Sequence, residues 1–262
     1  MPYAEVNGQR FRVEDTGGDG PPIVFSHGFL MDHEMFAPQV AELSDVYRVI
    51  TWDQRGFGTT ETDGGEFTYW DSARDLFGLL DVLGVERAVL AGMSQGGYVS
   101  LRAALLQPDR VRALALIDTQ APPETPEKTA QYRELFATWV ERGYVQELAD
   151  GVAQAIIGDP VLAEEWQAKW RRWDPARLGP ASRALLDRDD VSDRLDELAM
   201  PVLLVHGTQD LGIPVQRSHE ICAAVSDCRG VVEVPGAPHA SSLTHPDLVN
   251  PELRTFLEGL PA

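Results

Sequence analysis

At 262 residues the chain is long enough to bury one large core, and 41 acidic against 22 basic residues give it a net charge of −19. That balance excludes the clustered Lys and Arg that phosphate binding needs, so neither nucleic acid nor an anionic membrane surface is an expected partner. Apolar runs such as 113–117 and 201–205 are far too short to cross a bilayer, and the first residues lack a basic stretch followed by an apolar one.

Residues 3–6 and 10–14 flank Asn7-Gly8, a dipeptide suited to a two-residue turn, and predict an antiparallel hairpin. After the Gly/Pro-rich break at 17–22, residues 23–26 read as a buried strand ending at His27-Gly28, and 35–43 as a short helix. The pattern then repeats: strand 47–52, helix 71–83, strand 88–93, helix 95–106 closed before Pro108, and strand 111–117. Strands apolar on both faces and separated by helices imply a mostly parallel sheet covered on two sides. From 122 to 194 no strand-like run appears, and helical stretches 132–155 and 161–172 follow one another. This part is expected to be a helical cap inserted into an α/β core domain made of residues 1–121 and 195–262. The alternation resumes with strand 201–205, helix 215–225, strand 231–234 and helix 248–257.

Chemistry concentrates where strand 88–93 meets helix 95–106. Gly92-Met93-Ser94-Gln95-Gly96 matches G-x-S-x-G in the strand-turn-helix setting of a nucleophile elbow. Such a turn leaves no room for Cβ atoms two residues to either side of the serine, which explains Gly92 and Gly96, while Gly97 eases packing of the helix behind. Ser94 at a helix N-terminus also meets free N–H groups and a positive dipole end. A serine alone is a poor nucleophile and needs a base with something to orient it. Asp210 follows strand 201–205 and His239 follows strand 231–234, and ligands in open parallel sheets lie beyond the carboxyl ends of strands. Ser94, Asp210 and His239 are therefore expected at one sheet edge, in the chain order of this fold. The amide of Gln95 and that of Phe29, in the loop after strand 23–26, are the expected oxyanion donors.

These segments together resemble the α/β-hydrolase superfamily over nearly the whole chain. Ser-His-Gly-Phe at 26–29 matches its oxyanion loop, Asp53-Gln54-Arg55-Gly56-Phe57-Gly58 its D-x-R-G-x-G segment, and 92–97 its elbow. Within the superfamily the chain is similar to small carboxylesterases and 3-oxoadipate enol-lactonase-like hydrolases. The resemblance implies the α/β-hydrolase fold and a serine hydrolase acting on a small carboxylic ester or lactone. Carbon–carbon bond hydrolysis or perhydrolysis with the same Ser-Asp-His set, and a ligand sensor on the same scaffold, are the alternatives.

Several residues have competing readings. Asp118, after strand 111–117, occupies a second location from which some superfamily members supply the acid; its bland role is loop hydrogen bonding. His206 and His27 are expected to make fixed local hydrogen bonds, and His245 to precede the last helix. Asp53 and Arg55 are expected to shape loops near the site, and Asp32 and His33 to lie at the surface. Trp166, Trp170 and Trp173 share a helix face, which predicts burial of the cap against the core. In the functional version Trp166 and Trp170, with Phe29, Phe136, Trp139 and Ile157, wall a substrate pocket. Histidines without metal spacing imply neither metal nor cofactor. Cys222 and Cys228, without a CxxC motif, are expected to be free thiols in a reducing, cytoplasmic compartment. A small-molecule substrate is the partner implied, and oligomeric state is left open.

Overall fold

The computed structural model describes residues 2–261. Eight strands form one sheet: β1 (Tyr3–Val6), β2 (Gln9–Asp15), β3 (Pro22–Ser26), β4 (Arg48–Trp52), β5 (Ala88–Met93), β6 (Val111–Ile117), β7 (Val202–Gly207) and β8 (Cys228–Val234). Their spatial order is β1-β2-β4-β3-β5-β6-β7-β8. The expected hairpin pairs β1 with β2, and β2 runs antiparallel to β4. All later pairs are parallel. The central strands β5 and β7 are buried at every position, as strands covered on both faces must be.

Helices α1 (Ala37–Leu43), α2 (Tyr69–Val82), α3 (Gln95–Leu106), α8 (Gln216–Ala224), α9 (Ser241–Thr244) and α10 (Pro246–Glu258) accompany the sheet strands. Thr68 caps α2 through the Asp71 amide while the Asp71 side chain returns to the Thr68 amide, so the helix starts earlier than its apolar periodicity suggests. Between β6 and β7 the chain forms only helices: α4 (Pro126–Arg142), α5 (Gln146–Ile156), α6 (Pro160–Trp170) and α7 (Leu178–Leu186), with short 3-10 turns. The expected single stretch 132–155 is broken at Gly143, whose φ of 74° ends α4 in the left-handed region.

The expectation of two free thiols is corrected. Cys222 lies near the end of α8 and Cys228 opens β8; the turn between them brings their Cα atoms to 5.2 Å, and the two are joined as a disulfide. The cysteines therefore give no ground for placing the chain in a reducing compartment. No helix among the described residues is long and apolar enough to cross a membrane.

Candidate active site

The elbow takes its shape from the backbone. Ser94 sits between β5 and α3 at φ 52° and ψ −114°, a conformation that costs energy for a residue with a Cβ. Its neighbours have no space for side chains. A Cβ on Gly92 would lie 2.2 Å from the Gly96 carbonyl oxygen, and one on Gly96 would lie 1.8 Å from that of Ser26. A Cβ on Gly97 would meet the Thr119 side chain at 2.4 Å, which gives that third glycine its reason.

Two loops at the same sheet edge deliver the other groups. β7 ends at Gly207, and the following turn places Asp210 so that its Oδ1 accepts from the amides of Gly212 at 2.7 Å and Ile213 at 2.9 Å. β8 leads to His239, whose Nδ1 is 2.6 Å from Asp210 Oδ2. Since Oδ2 is an acceptor, Nδ1 carries the proton, which leaves Nε2 as the basic nitrogen in the neutral ring. Ser94 and His239 line one cavity, with Gly212 and Ile213 beside them.

Burial opposes charge on both partners, yet their pairing prevails. Desolvation would raise the Asp210 pKa, but the His239 charge and hydrogen bonds from His206, His239 and the Ile213 amide hold it well below the usual carboxylate range. For His239, burial favours the neutral ring, but the Asp210 charge, its hydrogen bond and the Asp118 charge push the pKa above the ordinary 6.5.

Asp118 stands at the end of β6 at φ 46°, fully buried. Its Oδ1 accepts from the Gly207 amide at 2.7 Å, and its Oδ2 from the Ser241 amide at 3.0 Å and the Ser241 hydroxyl at 2.5 Å. Both oxygens thus tie the β7 end to the segment just after His239, and burial pushes the carboxyl up to about 6. The Phe29 and Gln95 amides have no acceptor among the described residues, and Phe29 lines the cavity with Ser94. The Gln95 side chain is held apart from this, accepting from the Tyr69 hydroxyl at 3.2 Å.

The cavity, of about 120 Å³, is mostly apolar, walled by Leu135, Phe136, Val152, Ala155 and Ile156 from the helical segment and by Phe29 and Leu30 from the core. Glu124, Tyr98 and Tyr132 are its polar members apart from Ser94 and His239. Of the expected pocket residues, Phe29 and Phe136 line it, while Trp139, Ile157, Trp166 and Trp170 lie outside the lining. Ile156 takes the wall position in place of its neighbour. Trp170 is buried and its indole donates to the Leu30 carbonyl at 2.7 Å, with Trp139 packed edge-on at 5.8 Å. Trp166 lies under the Lys169 ammonium, 4.0 Å from its ring centre. Trp170, and Trp173 edge-on to Phe57 at 5.9 Å, join the helical segment to the core, while Trp139 and Trp166 pack beside Trp170 and Lys169 of the segment. The lining residues that sequence reasoning missed, such as Leu135 and Val152, carry no motif, and only the packing of α4 and α5 selects them.

The remaining polar residues have structural partners. Asp53 Oδ1 accepts from His33 Nδ1 at 2.6 Å and its amide at 2.9 Å, and Oδ2 from the Thr59 amide at 2.8 Å. Arg55 forms a two-pronged pair with buried Asp75 at 2.5 and 2.9 Å. Asp32 is buried rather than at the surface as expected, because Lys169 of α6 reaches down to it at 2.8 Å. His27 is fully buried, and desolvation lowers its pKa to about 4, which keeps the ring neutral.

The family model described as alpha/beta hydrolase fold matches residues 21–246, and the chain belongs to that family. With relatives named as a methyl ester esterase and an enol-lactonase, hydrolase function is supported. It is similar, at 30% identity over 98% of this chain and all of the relative, to a putative non-heme chloroperoxidase of Synechocystis sp.. Among solved structures it resembles the enol-lactonase from Burkholderia xenovorans LB400, with a TM-score of 0.89 and 29% identity over 98% of this chain and 100% of that one. A thermophilic esterase from Thermogutta terrifontis gives a TM-score of 0.90 at 28% identity, covering 98% and 97% of the two chains.

Proposed function

We propose that this chain hydrolyses a small carboxylic ester or lactone through an acyl-enzyme on Ser94, with His239 as base and Asp210 as its orienting acid. The observation that carries the reading is the convergence of a strained serine and an Asp-paired histidine on one apolar cavity. His239 Nε2 takes the Ser94 proton as Oγ attacks the carbonyl carbon. The amides of Phe29 and Gln95 receive the oxyanion. Collapse expels the alcohol, or opens the lactone, with the proton returned by His239. Water then repeats the sequence to free the acid. Asp210 stays ionised, fixes the imidazole tautomer and stabilises its cation. Asp118 is read as the anchor of the His239 loop, since both of its oxygens are already engaged there.

Residues 122–194 act in this reading as a cap over the core formed by 1–121 and 195–262. A cavity of about 120 Å³, smaller than the roughly 150 Å³ that holds a benzene ring in an apolar site, suits a short acyl or small ring rather than a long chain. The names borne by the enol-lactonase and the esterase agree with such a substrate. The likeness to a protein named as a chloroperoxidase favours one second reading, in which hydrogen peroxide replaces water at the acyl-enzyme and releases a peroxyacid.

A hydrolysis panel of short and long acyl esters, aryl esters and lactones, each repeated with Ser94→Ala, tests the proposal. Short esters or lactones are expected to turn over many times, with the Ser94→Ala protein silent. Turnover that survives in that variant overturns it, and faster peroxide-dependent acyl transfer than hydrolysis would favour the second reading.

A further inference from the structure

His206 does more than a buried histidine needs. It lies in β7, fully buried, with Nδ1 2.7 Å from Ser218 Oγ of α8 and Nε2 2.8 Å from the Ile213 carbonyl oxygen. Those two contacts alone satisfy the ring. Yet Nε2 also lies 3.2 Å from Asp210 Oδ2, the same oxygen that His239 Nδ1 approaches at 2.6 Å. Both neighbours of Nε2 are acceptors, so Nε2 carries a proton, bonded to the Ile213 carbonyl and facing Asp210 Oδ2 close beside it. The Ser218 hydroxyl donates to Nδ1 of a neutral ring or accepts from a charged one, so the contact to Asp210 persists in either state. Ile213 closes the arrangement: its amide donates to Asp210 Oδ1 and its carbonyl accepts from His206.

We infer that His206 is a positioning residue for Asp210, whose Oδ2 it holds in place while drawing part of the carboxylate charge away from His239. The inference rests on the Ser94–Asp210–His239 reading and assigns a fourth side chain to it. Its sign follows from electrostatics. A second donor on Oδ2 weakens the stabilisation of the His239 cation, and a charged His206 would repel that cation; both hold the His239 pKa lower than Asp210 alone would set it. Asp118 acts in the opposite direction from β6, and the charge of His206 also bears on that carboxyl, favouring its ionised form. Ser94, Glu124, Tyr98 and Tyr132 are the other polar groups lining the cavity with His239.

The test compares His206→Phe, which keeps a ring but loses the donor, with His206→Gln, whose amide N–H can reach the same oxygens. NMR titration of the His239 ring reads its pKa without substrate, and steady-state rates against pH read the catalytic consequence. In His206→Phe the His239 pKa is expected to rise by about half a unit, with kcat falling about tenfold and KM within about twofold. His206→Gln is expected to stay within about threefold of the parent kcat. A folded His206→Phe protein with unchanged His239 pKa and kcat overturns the inference, as does a loss in His206→Gln equal to that in His206→Phe. Should His206→Phe fail to fold, Ser218→Ala decides: about a threefold fall in kcat with an upward pKa shift is expected, and no change in either overturns the inference. Ester hydrolysis persisting in Ser94→Ala would instead overturn the triad reading, while the substrate-free titration still reads the coupling of His206 to His239.

Discussion

The sheet edge and the helical segment 122–194 meet at one cavity but are held by different means. At the edge, backbone does the positioning: Ser94 at φ 52°, glycines that admit no Cβ, and carboxylates anchored by amides of Gly207, Gly212, Ile213 and Ser241. The helical segment is held mainly by side chains, with one backbone bond from the Ala240 amide to the Ile156 carbonyl at 2.7 Å. Trp170 donates to the Leu30 carbonyl, Lys169 pairs with Asp32, Arg177 donates to the carbonyls of Phe57 and Gly58, and Arg102 pairs with Asp189. Backbone constraints leave the reacting groups little freedom to drift under mutation. Side-chain packing lets the cavity wall change residue by residue, so reaction class and substrate choice are separable.

The largest effects are expected at the edge. Asp210→Asn should lower kcat by about 10³- to 10⁴-fold, because the amide presents the wrong partner to the His239 Nδ1–H. Asp118→Asn should lower it by no more than about tenfold, through the loop it anchors. Steady-state kinetics on the two variants would invert the assignment if Asp118→Asn were the more damaging.

Next comes the elbow itself. Gly96→Ala drives a Cβ into the Ser26 carbonyl and should destabilise the protein by about 3 kcal/mol or more. Thermal or denaturant unfolding measures this. A stable Gly96→Ala protein would contradict the crowding at the turn.

The pH dependence tests the His239–Asp210 pair. His239 is a base only when neutral, and its pKa lies above the ordinary 6.5. Activity should therefore fall about tenfold per pH unit once the pH drops below that raised value. The kcat/KM profile of a small ester would show this limb, and an apparent pKa below 6 would contradict the pairing.

The smallest change is expected in the helical wall. Ile156→Ala enlarges the cavity beside Val152 and Phe136, and should shift preference toward longer acyl chains by about threefold, leaving the acid limb in place. A moved acid limb would show that the two regions are not separable.

Legibility in the sequence divides along the same line. Gly92, Ser94 and Gly96 stand in a local strand-turn-helix pattern, and Asp210 and His239 follow strands whose apolar runs are plain, so the topology brings them together. The wall is different. Trp139, Trp166 and Trp170 are the conspicuous residues of the segment, but they pack it instead: Trp170 bonds to the Leu30 carbonyl, and Trp139 and Trp166 lie against Trp170 and Lys169. The lining goes to Leu135, Val152 and Ile156, chosen by how α4 and α5 cross the core, which no local pattern encodes. His206 was legible as a fixed, buried histidine but not as a neighbour of Asp210, because that contact depends on the turn at 210–213. The disulfide was missed for a similar reason: the spacing of Cys222 and Cys228 fits no motif, and only the tight connection from α8 to β8 makes them meet.

The most direct test is to mix the enzyme with a slowly hydrolysed aryl ester, quench it in acid, and locate the acyl group by peptide mass spectrometry. An acyl-enzyme mechanism predicts one acyl mass on the peptide carrying Ser94, formed with a burst of phenol and absent from Ser94→Ala. Sustained turnover with no adduct at Ser94, or an equal burst in Ser94→Ala, would contradict it.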